Sequence, residues 1–504
     1  MQVNNVFNSP LQRGDECWIA YPHPQVIFKY DLRGSSDMKN VIIPLLGLLL
    51  FPVQPTHAQT LTARLDVKTD SSQSVNNALL GYNILHFKSS RDLDFVKRMD
   101  PVAMRFPDGV WGNFYDWETD SFTNHGDSHR RTNVYAPTLA KWKELGIKGG
   151  FDGLTKLNND KKQKDGKGYD IIWLYNAAYD SPSKNVARMK DSIKKGFVVR
   201  DIELGNEQFW LSQCSSKTIT SEGYLDSAQG IAKALKRANP EVRVSVTLSW
   251  RDRHDSWNKI VSDNGSYFDA ISLHKYSGFD NDKPENQAGL KAVLAGRLRL
   301  AESAAYVRSF AKKPIWLSEW GLNAGTGAKA TSALTMADCY LYLFENQDIF
   351  DRANWFSVNG VSRSFMVMGK NRRPVQPLKK TAYGCVHEIM RSIFEDAKLL
   401  PSVTSTKKLD TGAGTIATVT ARAVNNDGRI IVCAVNLSDQ PCRFSLVIDK
   451  KPHTGPFVHE AMAFDSLDDL VLVDFEQSPL KKIEPATRGI ILPPLSVNKI
   501  EVIE

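Results

Sequence analysis

Two glutamates stand where a pair of carboxyls could work together. Glu207 lies in "IELGNEQFW" (Ile202–Trp210) and Glu319 in "KPIWLSEWG" (Lys313–Gly321), each after an apolar run and 112 positions apart. Facing each other across a sugar-sized cleft, such a pair can cleave a glycosidic bond. One carboxyl gives a proton to the leaving oxygen, and the other, ionised, attacks or activates water. Other polar groups end further apolar runs: Arg105 in "VAMRFP", Asn206 beside Glu207, His274 and Tyr276 in "YFDAISLHKY", Trp320 after Glu319, and Trp355 in "RANWFSVNG". Taken singly, each has an ordinary structural reading as a surface acid, an ion-pair partner, a hydrogen-bonded core histidine or a core tryptophan. Turn chemistry alone predicts Gly, Asn, Asp and Ser at strand ends, not two glutamates.

The elements that must hold these residues can be read from the same runs. Between about 78 and 360, eight short β-branched or aromatic runs alternate with longer amphipathic stretches: Leu79–Phe87, Val102–Pro107, Tyr169–Asn176, Val198–Glu207, Val242–Trp250, Tyr267–Tyr276, Lys313–Gly321 and Arg352–Gly360. Alternating strands and helices predict a parallel sheet, and eight repeats over this length predict a (β/α)₈ barrel. Active sites of that fold lie at the C-terminal ends of the strands. Glu207 and Glu319 then end strands four and seven, on different sides of one mouth. From about 399 onward the strands are close-set and no helix interrupts them, which predicts an antiparallel β-sandwich. The expected layout is a barrel over 78–398 and a sandwich over 399–504, with the strand "LTARLDV" (Leu61–Val67) of segment 59–77 joining the sandwich.

Composition frames these expectations. The chain has 504 residues, 42% hydrophobic and 24% charged, enough to bury a large core. Residues 38–58 carry one lysine, an apolar run from Val41 to Val53 and small residues at Thr56 and Ala58, the pattern of a signal peptide cleaved after Ala58. The run is too short to span a bilayer. Translation from Met38 leaves 1–37 without a role, and the product is expected to be secreted or periplasmic. The net charge of +8 favours anionic partners only modestly. The lysine-rich stretch Lys156–Gly168 reads as a loop without the interleaved aromatics of a nucleic-acid surface. After the leader five cysteines remain, without CxxC spacing, which argues against a disulfide scaffold or a zinc site. Cys433 and Cys442 flank a turn and are read either as a cross-hairpin pair or as two reduced core thiols. No metal or cofactor motif is present, so none is expected.

"LGNEQ" and "LSEWG" resemble the strand-four and strand-seven motifs of the clan A retaining glycoside hydrolases. "MRFPDGVWGNFYDW" (Met104–Trp117), "IELGNEQFW" and "ILPPLSVNKIEV" (Ile491–Val502) resemble the family 51 α-L-arabinofuranosidases and their relatives in families 39, 30 and 79. The resemblance implies that Glu207 is the acid/base, Glu319 the nucleophile, and Asn206 a donor to the sugar 2-hydroxyl. It further implies that Arg105 and Tyr276 support Glu319, that His274 lines the sugar subsite, and that Trp355 stacks on the ring. Where the family 51 pattern has Gly-Gly, this chain has Asp108-Gly109, a carboxylate in the substrate-facing loop. The loops Thr119–Arg131 and Ser277–Gly289 are long and polar. A larger or anionic glycan, a uronic acid polymer or sulfated galactan, therefore stands open beside arabinofuranosides, as does endo beside exo action.

Two readings from other classes compete. A carbohydrate-binding protein on a degenerate barrel would keep Trp111, Trp210, Trp320 and Trp355 as stacking platforms but would not need both acids. A metal-dependent hydrolase would need a ligand cluster such as HExxH, and none appears. The acidic stretch Asp280–Asp282 could hold a structural calcium, but it reads as a solvated turn.

Overall fold

The computed structural model describes residues 61–84, 90–107, 109–123, 135–263, 265–277, 286–323, 326–358, 360, 363–369, 374–484 and 489–503. The leader, Asp108, most of the Thr119–Arg131 loop and Asp280–Asp282 lie outside them.

Eight parallel strands close into a barrel: β1 (Gly81–Asn83), β2 (Ala103–Phe106), β3 (Asp170–Tyr175), β4 (Asp201–Leu204), β5 (Arg243–Thr247), β6 (Ala270–Ser277), β7 (Ile315–Leu322) and β8 (Phe350–Trp355). Each lies on one of the runs expected from sequence, five wholly within them, while β6 and β7 extend one residue beyond theirs and β8 begins two residues before its run. Buried on both faces, these strands alternate between the barrel interior and the helix layer. The interior is unusually polar: Asn83, Arg105, Glu203, Ser245, Ser272 and Ser318 are all 0% exposed. Beneath them Ile172, Ala270 and Trp316 form an apolar plug.

Register decides which way each residue at the mouth faces. His274 pairs with Glu319 across β6 and β7, and both point inward. Lys275 pairs with Trp320, and Trp320 with Trp355, so this set belongs to the outward-facing layer. Trp320 meets Tyr340 and Trp355 edge-on at 4.9 and 4.8 Å. Tyr340 belongs to the buried helix Ala330–Glu345, which packs beside the helix Ala382–Phe394.

The C-terminal region forms a sandwich. A seven-stranded sheet runs through Val419–Asn426, Arg429–Asn436, Ser496–Val502 and Phe457–Ala463. In the facing sheet, Leu61–Val67 lies parallel to Cys442–Ile448 and antiparallel to Ser402–Thr406. The larger sheet is covered on both sides. Val432 and Ala434 face the sandwich core, while Ile431, Cys433 and Val435 join the core formed with the barrel helices. Two-sided burial explains why "RIIVCAVNL" is apolar without alternation.

One feature differs from the sequence reading, and of the two readings of Cys433 and Cys442 the reduced core thiols hold. Phe151–Asp165 is an α-helix, so Lys156–Gly168 is no loop. Phe151, Leu154 and Leu157 give it a narrow apolar stripe, and Gly166 closes it in the left-handed conformation at φ 77°. Cys433 and Cys442 lie in different sheets, and all five described cysteines are buried free thiols. Among the described residues no helix is long and apolar enough to cross a membrane.

Candidate active site

At the centre of the barrel mouth sits a buried guanidinium. Arg105, on β2, donates five hydrogen bonds to these described residues: Nε and Nη2 to Glu203 at 2.6 and 3.1 Å, Nη1 to Glu319 at 2.8 Å and Asn83 at 3.1 Å, and Nη2 to Asn206 at 2.7 Å. A charge removed from water persists only when paired and hydrogen-bonded. Burial opposes the Arg105 charge, but Glu203 and Glu319 outweigh it and raise its pKa. Burial likewise opposes ionisation of Glu203, yet Arg105 and His274 hold its carboxyl down at about 2.

Glu319 is held from two sides. Arg105 bonds its Oε1, and Tyr276 Oη donates to its Oε2 at 2.7 Å. Gly109 presses on the same carboxylate, since a Cβ there would stand 2.5 Å from Oε1 and 3.0 Å from Phe356 Cε2. Any side chain at 109 would displace either the acid or the ring.

Glu207 owes its position to a sharp turn at the end of β4. Gly205 (φ 76°) and Glu207 (φ 40°) both adopt the left-handed conformation. For a glutamate this costs about 1–3 kcal/mol, so the surrounding structure must enforce it. Asn113 does so by accepting from the Asn206 amide at 2.8 Å and donating to the Asn206 carbonyl at 2.8 Å. Gln213 accepts from Asn206 Nδ2 at 2.7 Å and donates to Glu207 Oε2 at 2.9 Å.

His274 connects the acids. Ser318 Oγ donates to Glu203 at 3.1 Å, so it accepts from His274 Nε2, also at 3.1 Å. That leaves Nδ1 as the position whose proton can exchange. Nδ1 lies 3.1 Å from Glu207 Oε1 and 3.6 Å from Glu319 Oε2, without hydrogen-bond alignment to either. Those two oxygens are therefore no more than 6.7 Å apart. Burial opposes a charge on His274, but Glu319, Glu203 and Glu207 raise its pKa to about 10. Burial raises the Glu207 pKa, and His274, Gln213 and Arg105 more than reverse this, leaving it below the ordinary value.

The structure thus brings together Arg105, Asn206, Glu207, His274, Tyr276 and Glu319. It does not bring the two strand-end tryptophans to the cleft. Trp320 is 2% and Trp355 0% exposed, both in the outward layer, and Trp355 Nε1 donates to the Arg363 carbonyl at 2.9 Å. Neither has a face for a sugar. The aromatic beside Glu319 is instead Phe356, one position on, half-buried and edge-on to Tyr276 at 6.1 Å. Trp111 is half-buried in an aromatic cluster, its ring 4.4 Å from Trp142 and 5.3 Å from Tyr135.

Sequence reasoning passed over Glu203, Gln213, Asn113, Ser318, Gly109 and Phe356 as site residues. A signal existed for Glu203: it lies in an apolar strand, four positions before Glu207, and a buried Arg105 facing the strand-end acid Glu319 needs a second anion.

No family model matches the sequence, and no curated protein matches it. Solved structures do match in fold. A family 51 α-L-arabinofuranosidase from Bifidobacterium longum superposes with a TM-score of 0.67 at 14% identity. An α-L-arabinofuranosidase from Thermotoga maritima, in complex with arabinose, gives 0.61 at 15%, and a family 44 xyloglucanase from Paenibacillus polymyxa 0.58 at 12%. Each match covers 88% of this chain and 100% of the other. The chain has the barrel-and-sandwich fold of the family 51 arabinofuranosidases.

Proposed function

We propose that the protein is a retaining glycoside hydrolase acting on a polysaccharide, arabinofuranosidase-like in its glycone site, with Glu319 as nucleophile and Glu207 as acid/base. One observation carries this reading: the oxygens of two strand-end glutamates, one fixed by Arg105 and Tyr276 and one reached by His274, lie within 6.7 Å. Retaining enzymes hold their carboxyls about 5–5.5 Å apart and inverting enzymes about 6.5–9.5 Å, so the bound favours double displacement. Glu319 attacks the anomeric carbon as the glycosidic C–O bond breaks, and the leaving oxygen takes a proton from Glu207. Water, deprotonated by Glu207, then releases the sugar from Glu319.

The resting site has to supply that proton although Glu207 is held low. His274 and Glu207 share one proton, which rests on Nδ1, 3.1 Å from Oε1. Passing it to Glu207 leaves the net charge of the site unchanged, so delivery does not require taking up a proton from solvent. Two findings support a substrate with arabinofuranosyl groups: the fold neighbours described as arabinofuranosidases, and the likeness of 104–117 to that family's glycone loop. The presence of both acids, each held by its own partners, weighs against a binding protein. The signal-peptide pattern supports a secreted or periplasmic enzyme.

The test is early-time NMR of the product from protein beginning at Gln59, on aryl α-L-arabinofuranoside, arabinan and xyloglucan, with E319Q as blank. Retained anomeric configuration made by wild type alone is expected. Inversion, or equal turnover by E319Q, refutes the reading.

A further inference from the structure

Tyr276, which donates to Glu319 Oε2 at 2.7 Å, is itself seated on a cation. The Arg363 guanidinium carbon lies 4.3 Å from the centroid of its ring, and Arg363 Nε donates at 2.5 Å to the carbonyl of Leu322, the last residue of β7. Gly321 leaves room for this arrangement. A Cβ there would stand 3.3 Å from Arg363 Cδ and 3.4 Å from Tyr276 Cδ1, so any side chain would already be in contact with both. Phe356 meets the same ring edge-on at 6.1 Å. Among the described residues no carboxylate pairs with Arg363, so its charge lies against the phenol rather than an acid.

A cation on the ring face favours negative charge on the phenol oxygen. Burial and Glu319 oppose that charge and hold the Tyr276 pKa well above its ordinary value, with Arg363 pulling the other way. Tyr276 therefore stays protonated, with its O–H bond polarised towards Glu319. The two halves of the proposed reaction use this hydrogen bond differently. When Glu319 attacks, its charge is lost into the new bond to the sugar, and a donor that holds the charge opposes the step. When water attacks the anomeric carbon and passes its proton to Glu207, the bond from that carbon to Glu319 breaks. Its electron pair returns to the carboxylate, and the same donor helps. A group that strengthens the donor favours the second half over the first.

We propose that Arg363 is a positioning residue for release of the glycosyl-enzyme: it seats Tyr276 and polarises its hydroxyl towards the charge that returns to Glu319. This rests on the hydrolase reading and adds to it the residue that balances its two steps.

Steady-state and rapid-mixing kinetics on 2,4-dinitrophenyl α-L-arabinofuranoside, whose leaving group departs without a proton from Glu207, test this. R363M keeps the stem and removes the charge. It should lower kcat about tenfold and KM with it, keep kcat/KM within about threefold, and release a burst of about one dinitrophenolate per enzyme before the slow phase. R363K, which restores a cation, should recover most of kcat. R363Q, polar but uncharged, repeats the test so that poor folding of one variant does not decide it. A role confined to folding or ring placement would instead lower kcat/KM as far as kcat, or raise KM, and either result overturns the proposal. So does an unchanged kcat in the uncharged variants, or an R363K no faster than they are. Wild type no faster than E319Q overturns the hydrolase reading and this proposal with it, whereas the preceding outcomes overturn this proposal alone.

Discussion

Replacing Gly109 by alanine tests whether the placement of Glu319 is what the barrel is built to secure. The new methyl would stand 2.5 Å from Glu319 Oε1, where ordinary contact begins at 3.4 Å. It cannot turn aside, because Phe356 Cε2 lies at 3.0 Å. The carboxylate must therefore retreat by about 0.9 Å, stretching the 2.8 Å bond from Arg105 and the 2.7 Å bond from Tyr276. Misplacing a reacting group by about 1 Å costs about 10²-fold in rate, or about 2.7 kcal/mol of barrier. G109A should lower kcat on an aryl glycoside by about that factor, leave KM within about threefold, and melt within a few degrees of wild type, since no buried group is lost. A folded G109A that keeps more than about one third of the wild-type kcat would refute the claim that this glycine exists for the nucleophile.

Further substitutions separate structure from chemistry. W355F should lower thermal stability by about 1–3 kcal/mol and spare kcat, whereas F356A should do the reverse; thermal melts and initial rates of both variants decide between the two rings. R105Q leaves Glu203 buried without its main partner and should cost about 3–5 kcal/mol in urea unfolding; a loss under about 1 kcal/mol would show the pair is not needed. Glu203 is held at about 2, below its ordinary 4.5, so its carboxylate contributes stability above pH 4.5 that is lost as pH falls towards 2. The urea midpoint should accordingly fall further between pH 6 and pH 3 in wild type than in E203Q. Glu319, Glu203 and Glu207 push the His274 pKa up to about 10 against burial, so on the proposed reading its Nδ1 proton stays in the site through neutral pH. The basic limb of kcat/KM should move down in H274Q towards the range of a lone carboxyl; an unmoved limb would exclude His274 as the proton's resting place.

What could be read from the sequence follows from how a parallel barrel buries its strands. Each strand is buried on both faces and carries an apolar run, so its existence and its end stand out, and a glutamate at that end is conspicuous. The direction a side chain faces is hidden for the same reason. With no polar alternation in "KPIWLSEWG", nothing marks Glu319 as inward and Trp320 as outward, and although Arg352 and Asn354 alternate with Ala353 and Trp355, Trp355 at the strand end reads as well as Phe356 for the ring at the cleft. Only the register between β7 and β8, a pairing of residues 35 positions apart, distinguishes them. Glu203 was obscured by the opposite prejudice, because an acid inside an apolar strand reads as an exception rather than as a counter-ion. Its necessity appears once Arg105 is seen to be fully buried, since a guanidinium that gives one edge to Glu319, the proposed nucleophile, calls for an anion on its other edge. The helix Phe151–Asp165 was missed because its short stripe of three apolar positions is outweighed by its lysines. For the tryptophans and for Glu203 the missing information was a partner distant in sequence. This chain states where its strands end but leaves to tertiary contact which residues at those ends face the substrate.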